Sequence, residues 1–204
     1  MGNHVIALGR QFGSGGREIG HRLSEALGFA FYDKELLSLA AQRAEVQEEV
    51  FAEKEEKAGN PWLFKAFYEG GPKVRQGQSA EDVLFQLQSE VIRELAEKED
   101  CIIVGRCADF VLESQKIDCL SLFICAPVEW RVRHRMETEG LDEKTAAALV
   151  EKTDRQREKY YTHYTGRPWG LPETYDLCIN SARLGIDRTA SLLAEHCRQL
   201  FRNF

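Results

Sequence analysis

The sequence lacks several features that would settle its class at once. No apolar run approaches the ~20 residues needed to cross a bilayer. The first residues, Met1 to Leu8, have neither the charged nor the apolar region of a secretory signal. A cytoplasmic protein with no membrane partner is therefore expected. The six cysteines (Cys101, Cys107, Cys119, Cys125, Cys178 and Cys197) include no C-x-x-C pair, and the five histidines are scattered. Reduced, mostly buried thiols are expected in place of a zinc site or a disulfide framework. Positive charge is also in deficit. Lys+Arg number 27 against 33 Asp+Glu, a net charge of -6, which argues against a dedicated binder of nucleic-acid polymers and still allows a local basic pocket.

What is present is enough for a core. With 204 residues, 43% of them hydrophobic and 10% aromatic, the chain is too apolar for wholesale disorder and has room for one well-buried domain. A single domain over residues 1–204 is expected.

Short apolar runs alternate with helical periodicity. His4 to Leu8, Phe29 to Tyr32, Cys101 to Val104, Leu120 to Cys125 and Leu177 to Ile179 read as five strands, most without clean polar alternation. Between the first two, Ile19, Leu23, Ala26 and Leu27 recur at helical spacing until Gly28. Residues 34–57 are helical in pattern and heavily charged. Residues 60–78 hold Pro61, Gly70, Gly71, Pro72 and Gly77 among aromatics and read as an irregular lid. Ser79 with Asp82 forms a capping box ahead of Leu84, Leu87, Val91 and Leu95. Pro127 opens a further helix, Asp142 caps another that runs to about Tyr161, and 186–201 is a closing amphipathic helix. Strands buried on both faces and separated by helices predict an α/β fold: a parallel five-stranded sheet in a three-layer α/β/α arrangement.

The first strand runs into a glycine-rich turn, Gly9-Arg-Gln-Phe-Gly13-Ser14-Gly15-Gly16-Arg17-Glu18, and then into a helix. This is the geometry that cradles phosphate, because glycines admit an anion close to the backbone and the amides of the helix N-terminus point at it. The usual side chains are missing: Gly16 stands where a lysine is normal, and Glu18 stands near the place of Ser or Thr. Arg10 and Arg17 flank the loop, and either guanidinium is a candidate for the missing cation. Glu18 is either a carboxylate for a metal-bound water or an acidic first-turn residue favoured by the helix dipole.

Residues 9–20, together with Phe31-Tyr-Asp-Lys-Glu-Leu36, Ile102-Ile-Val-Gly-Arg-Cys-Ala-Asp109, Leu122-Phe-Ile-Cys-Ala-Pro127, 160–170 and Tyr175-Asp-Leu-Cys-Ile-Asn180, resemble the cytidylate kinase-like proteins. These belong to the P-loop nucleoside monophosphate kinase group. The resemblance implies a P-loop kinase fold with an acceptor-side insertion at about 34–98 and a lid region at about 131–170. It implies ATP and Mg²⁺, with Arg10, Gly13, Ser14, Gly15, Gly16, Arg17 and Glu18 on the donor side. Asp33, Lys34, Arg106, Asp109 and Arg167 would serve a small-molecule phosphate acceptor. Of the lid arginines, Arg131 and Arg155 are expected near the phosphates and, with Arg17 and Arg106, to carry catalysis. Arg133 and Arg157 are expected to be solvated or in surface ion pairs. Tyr160, Tyr161, Tyr164 and Trp169 either stack on a base or pack the helix end.

The expected chemistry is phosphoryl transfer from ATP, most specifically to CMP or dCMP. The lost lysine keeps two alternatives open: a kinase for another small molecule, and a nucleotide-binding regulatory module with little turnover.

Overall fold

In the computed structural model, residues 3–33 and 80–201 are described. The charged helix expected at 34–57, the lid at 60–78, Lys34 and Ser79 lie outside them. Five strands, β1 (Val5–Arg10), β2 (Ala30–Tyr32), β3 (Cys101–Val104), β4 (Leu120–Cys125) and β5 (Leu177–Asn180), form one sheet in the order β2-β3-β1-β4-β5. All four pairings are parallel, with Val5 opposite Cys101 and Ile6 opposite Leu120 on the two sides of β1. This is the α/β architecture predicted from the unbroken apolar runs.

The central strand shows why those runs do not alternate. Val5 and Ala7 face one layer of helices and Ile6 and Leu8 the other, and none of the four is more than 2% exposed. Ile6 and Leu8 pack with Ile19 and Leu23 of α1 (Gly16–Leu27) and with Leu193 and Ala194 of α6 (Ser181–Phe201). Val5 and Ala7 pack with Val91, Ile92 and Leu95 of α2 (Ala80–Lys98) and with Val111 and Leu112 of α3 (Ala108–Ser114). Each Leu or Ile fully buried in this way contributes about 1.5–3 kcal/mol.

The first helix stops where expected. Gly28 adopts φ 74°, and its N–H donates to the carbonyl of Ser24 at 2.8 Å, so an orphan carbonyl of the last turn is satisfied. Two further helices, α4 (Val128–Glu139) and α5 (Glu143–Thr165), form a hairpin through Gly140, Leu141 and Asp142. Asp142 caps α5 as predicted, accepting from the Thr145 N–H at 3.0 Å. Val132, Ala146 and Val150 knit the hairpin together, and Phe12 and Met136 pack against them.

Some boundaries differ from the sequence expectation. Helix α3 was not foreseen, α5 runs four residues past Tyr161, and α6 begins at Ser181. The last case has a local cause: Gly185 breaks the helix (φ 76°, ψ 170°), so the segment expected from Ile186 is the part beyond a kink. Leu84, expected on the core face of α2, instead lines the cleft described below. All six thiols are free. Cys101, Cys107 and Cys197 are buried, Cys119 and Cys125 half-buried, and Cys178 exposed. Among the described residues no helix is long and apolar enough to cross a membrane.

Candidate functional site

The strands end on the same side of the sheet, and β1, at the centre, has its sequence neighbour β2 separated from it by β3. Such a switch in strand order opens a crevice at the C-terminal strand ends. Here the crevice is a cavity of about 1150 Å³, lined by the loop after β1, Asp33 after β2, residues 105–109 after β3, and the inner face of α5.

The glycine loop takes the conformation its composition predicts. Gly13 (φ 79°) and Gly15 (φ 72°) are left-handed, and α1 starts at Gly16 with no side-chain cap. The first-turn amides therefore face the cavity without an intramolecular acceptor from the cap residue, which suits an anion. Ser14 does not line the cavity. It is fully buried, donates from Oγ to the Gln11 carbonyl at 2.8 Å, and its own carbonyl accepts from Ser181 Oγ at 2.6 Å. Its role in this arrangement is to build the turn.

Asp33, 8% exposed, accepts from two arginines: Arg10 Nη2 at 3.3 Å and Arg17 Nε at 2.7 Å. Beyond β3, Gly105, Arg106 and Cys107 are successively left-handed (φ 75°, 58° and 54°). Two non-glycine residues in that region store strain of about 1–3 kcal/mol each, and the turn directs Arg106 into the cleft, where it donates to the Tyr160 hydroxyl. Tyr160 in turn donates to Gln88 Oε1 at 3.2 Å. Asp109 accepts from the Tyr161 hydroxyl at 2.6 Å, and burial pushes its carboxyl above the usual range.

Burial first, and then Arg157, pull the Arg10 guanidinium down to about 9, with Asp33 acting in the opposite direction. Arg106 and Arg157 are lowered too, chiefly by burial. Neighbouring guanidiniums add to the effect of burial at Arg10 and Arg157, and Asp33 opposes it at all three, so several cations gather beside this carboxylate. This local excess sits in a chain whose net charge is -6.

The lid arginines are not arranged as expected. Arg131 is 5% exposed and serves the backbone: its Nε donates to the Ala126 carbonyl at 3.0 Å, its Nη1 to the Phe12 carbonyl at 3.1 Å, and it pairs with Asp154. Asp154 also accepts from the Phe12 N–H at 2.7 Å, so the pair clasps the loop from outside the cleft. Arg155 points away and pairs with Glu151 on the exposed face of α5. Arg157, expected in solvent, reaches the cleft and donates from Nη1 to the Arg10 carbonyl at 3.0 Å. Arg135 also lines the cleft, its guanidinium 4.6 Å from the centre of the Phe12 ring. Arg167 lies outside the cleft lining, donating to Glu113 at 2.6 Å and stacking over Phe110.

The aromatic set divides between the two readings. All four line the cavity, but Tyr161 is 5% exposed and held by Asp109, which leaves Tyr160, Tyr164 and Trp169 as the more open walls. Tyr164 stacks on Phe85 with ring centres 4.0 Å apart, and Trp169 meets Phe123 edge-on. Glu18 is at the mouth, 3.7 Å from His134 Nε2. Among the described residues no three His, Cys, Asp or Glu side chains gather as a metal cage. An isolated hard carboxylate beside an anion cradle suits a Mg²⁺ that takes most of its ligands from phosphate and water.

A family model described as the Cytidylate kinase-like family matches residues 5–183. A cytidylate kinase from Methanopyrus kandleri is 29% identical over 108 residues, half of this chain and 56% of that enzyme's length. A solved structure of an uncharacterized protein from Eubacterium ventriosum superposes with a TM-score of 0.69 at 29% identity, covering 95% of this chain and 98% of that one. A gluconokinase from Sinorhizobium meliloti shares the fold at a TM-score of 0.54 and 15% identity, covering 98% and 97% of the two chains.

Proposed function

The chain belongs to the cytidylate kinase-like family, and on that premise we propose that it transfers a phosphoryl group from ATP to a small acceptor, most specifically a nucleoside monophosphate such as CMP or dCMP. One observation carries the reading: Arg10, Arg106 and Arg157 converge with the open first-turn amides of α1 on one cleft at the strand ends. An acidic protein with these three arginines gathered there is suited to a small polyanion.

The backbone of Gly13 and of Gly15 to Arg17 would hold the donor phosphates, with Glu18 placed to hold a metal-bound water. Mg²⁺, when bound, supplies charge neutralisation across the donor phosphates. Arg106 and Asp33 stand on the acceptor side, with Asp109 behind them and Tyr160, Tyr164 and Trp169 as apolar walls for a base. An oxygen of the acceptor phosphate bonds to the γ-phosphorus while the bond to the bridging oxygen breaks, leaving ADP and a nucleoside diphosphate. No protein nucleophile is needed, because positioned cations and orientation lower the barrier. Arg131 and Arg155 are not assigned to this chemistry.

The second reading, a nucleotide-binding module with little turnover, is favoured by Gly16 and Glu18 standing at the usual lysine and hydroxyl positions. Incubation with Mg-ATP and a panel of nucleoside monophosphates distinguishes the two. ADP release that requires CMP or dCMP supports the kinase. No acceptor-dependent ADP from any nucleotide rejects it, and a melting temperature still raised by ATP then selects the binding module.

A further inference from the structure

We propose that Arg10 replaces the phosphate-loop lysine from the end of the central strand, and that position 16 is glycine because the Arg10 side chain fills the space where that lysine would begin. The inference rests on reading the cleft as a phosphoryl-transfer site. It joins two oddities of the sequence, a missing lysine and an extra strand-end arginine, into one arrangement.

Gly16 differs from its neighbours Gly13 and Gly15 in having no positive φ. Its backbone does not require glycine, but its surroundings do. A Cβ at position 16 would lie 2.6 Å from Arg10 Cβ, 3.2 Å from Arg10 Cγ and 3.3 Å from Ile124 Cβ. The nearest of these separations is one that real side chains do not adopt. On the far side of the guanidinium, a Cβ at position 105 would lie 2.2 Å from Arg10 Nη1. One arginine therefore occupies room left by two glycines, one at the start of α1 and one after β3.

The side chain so housed is held in place. Its Nη2 bonds Asp33 at 3.3 Å, and the side chain is 18% exposed. Its carbonyl accepts from Arg157, and its Cα lies opposite Ile124 in the β1–β4 ladder. Arg17, the other candidate, makes the shorter bond to Asp33, 2.7 Å to the opposite oxygen, but its side chain is 55% exposed and so less fixed. Arg10 thus combines burial, a fixed stem and a place beside the cradle, as a preorganised cation contact to a transferring phosphoryl group requires.

The test compares wild type with Arg10→Met, Arg17→Ala, Gly16→Lys and the pair Arg10→Gly with Gly16→Lys, using ATP affinity by calorimetry and CMP-dependent ADP release. Methionine keeps the stem and removes the charge, and a thermal melt confirms that each variant is folded. The glycine in the pair is needed because the nearest clash is with Cβ itself. Arg10→Met should lower turnover about 100-fold, and Arg17→Ala less than about tenfold. Gly16→Lys alone should be inactive, and the pair should exceed it by at least about tenfold. Wild-type affinity and turnover in Arg10→Met would overturn the inference while leaving the kinase reading intact. So would a pair no better than Gly16→Lys alone. Wild type that neither binds ATP nor releases ADP overturns the kinase reading and, with it, this inference.

Discussion

Arg155 and Arg157, two residues apart on α5, look in opposite directions: Arg157 bonds the Arg10 carbonyl inside the cleft, while Arg155 pairs with Glu151 on the outer face. Successive positions on a helix are 100° apart, so at most one of the two can reach the phosphate loop. Arg157→Ala should cut turnover about 100-fold. Arg155→Ala should leave turnover unchanged and stability within about 0.5 kcal/mol. Steady-state ADP release and a urea melt of both variants check this, and equal losses would refute the assignment of faces.

The clasp on Phe12 is structural, and its removal should be felt in folding first. Asp154→Ala strands the buried Arg131 and should cost about 3–5 kcal/mol. Replacing both residues should cost less than the sum of the single changes, because no uncompensated charge remains. A double-mutant cycle by chemical denaturation reads the coupling directly. A coupling of zero would mean that the pair contributes nothing to holding the loop.

Asp109 predicts a pH effect of definite sign. Burial raises its folded pKa above the unfolded value of about 3.9. Its stabilising contribution is therefore fully present below the unfolded pKa and lost as pH rises through the folded one. At neutral pH the charged form is a burden. Asp109→Asn, which still accepts from Tyr161, should raise the melting temperature by about 2–4 °C there. The advantage should shrink as pH falls toward about 4. Melts of both proteins across that range decide it, and an advantage that grows on acidification would contradict the sign.

Arg167 makes a surface pair with Glu113, the two side chains being 36% and 61% exposed. Arg167→Ala should change stability by less than about 1 kcal/mol and leave the acceptor KM as it was. A large rise in KM would return Arg167 to the acceptor site where sequence resemblance first put it.

How much could be read in advance differs between fold and site. The strands were legible because residues such as Ile6, Ala7, Ile102 and Ile103 are buried on both faces and leave continuous apolar runs. Glycine at 28 and aspartate at 142 marked helix ends by local chemistry that needs no tertiary context. Helix α3 was missed because it follows a left-handed turn at Arg106 and Cys107, residues whose types do not announce that conformation.

The choice between Arg155 and Arg157 failed for a different reason. The resemblance that puts Arg155 near the phosphates does not say which face of a helix is buried. The usable signal was the buried stripe Ala146, Val150 and Tyr161, which passes through Asp154 and Arg157 and leaves Arg155 outside. Arg10 was visible as a candidate, but its priority over Arg17 depends on the space around Gly16 and Gly105, and distances between separate segments are not written in local sequence.

The clasp on Phe12 also governs how the protein opens. Both backbone groups of Phe12 are bonded to the α4–α5 hairpin, and its ring is packed among the hairpin's apolar residues. The loop therefore has little local unfolding freedom of its own. Its amide hydrogens near Phe12 should exchange with solvent only when the hairpin separates, so loop and hairpin form one cooperative unit with a shared opening free energy.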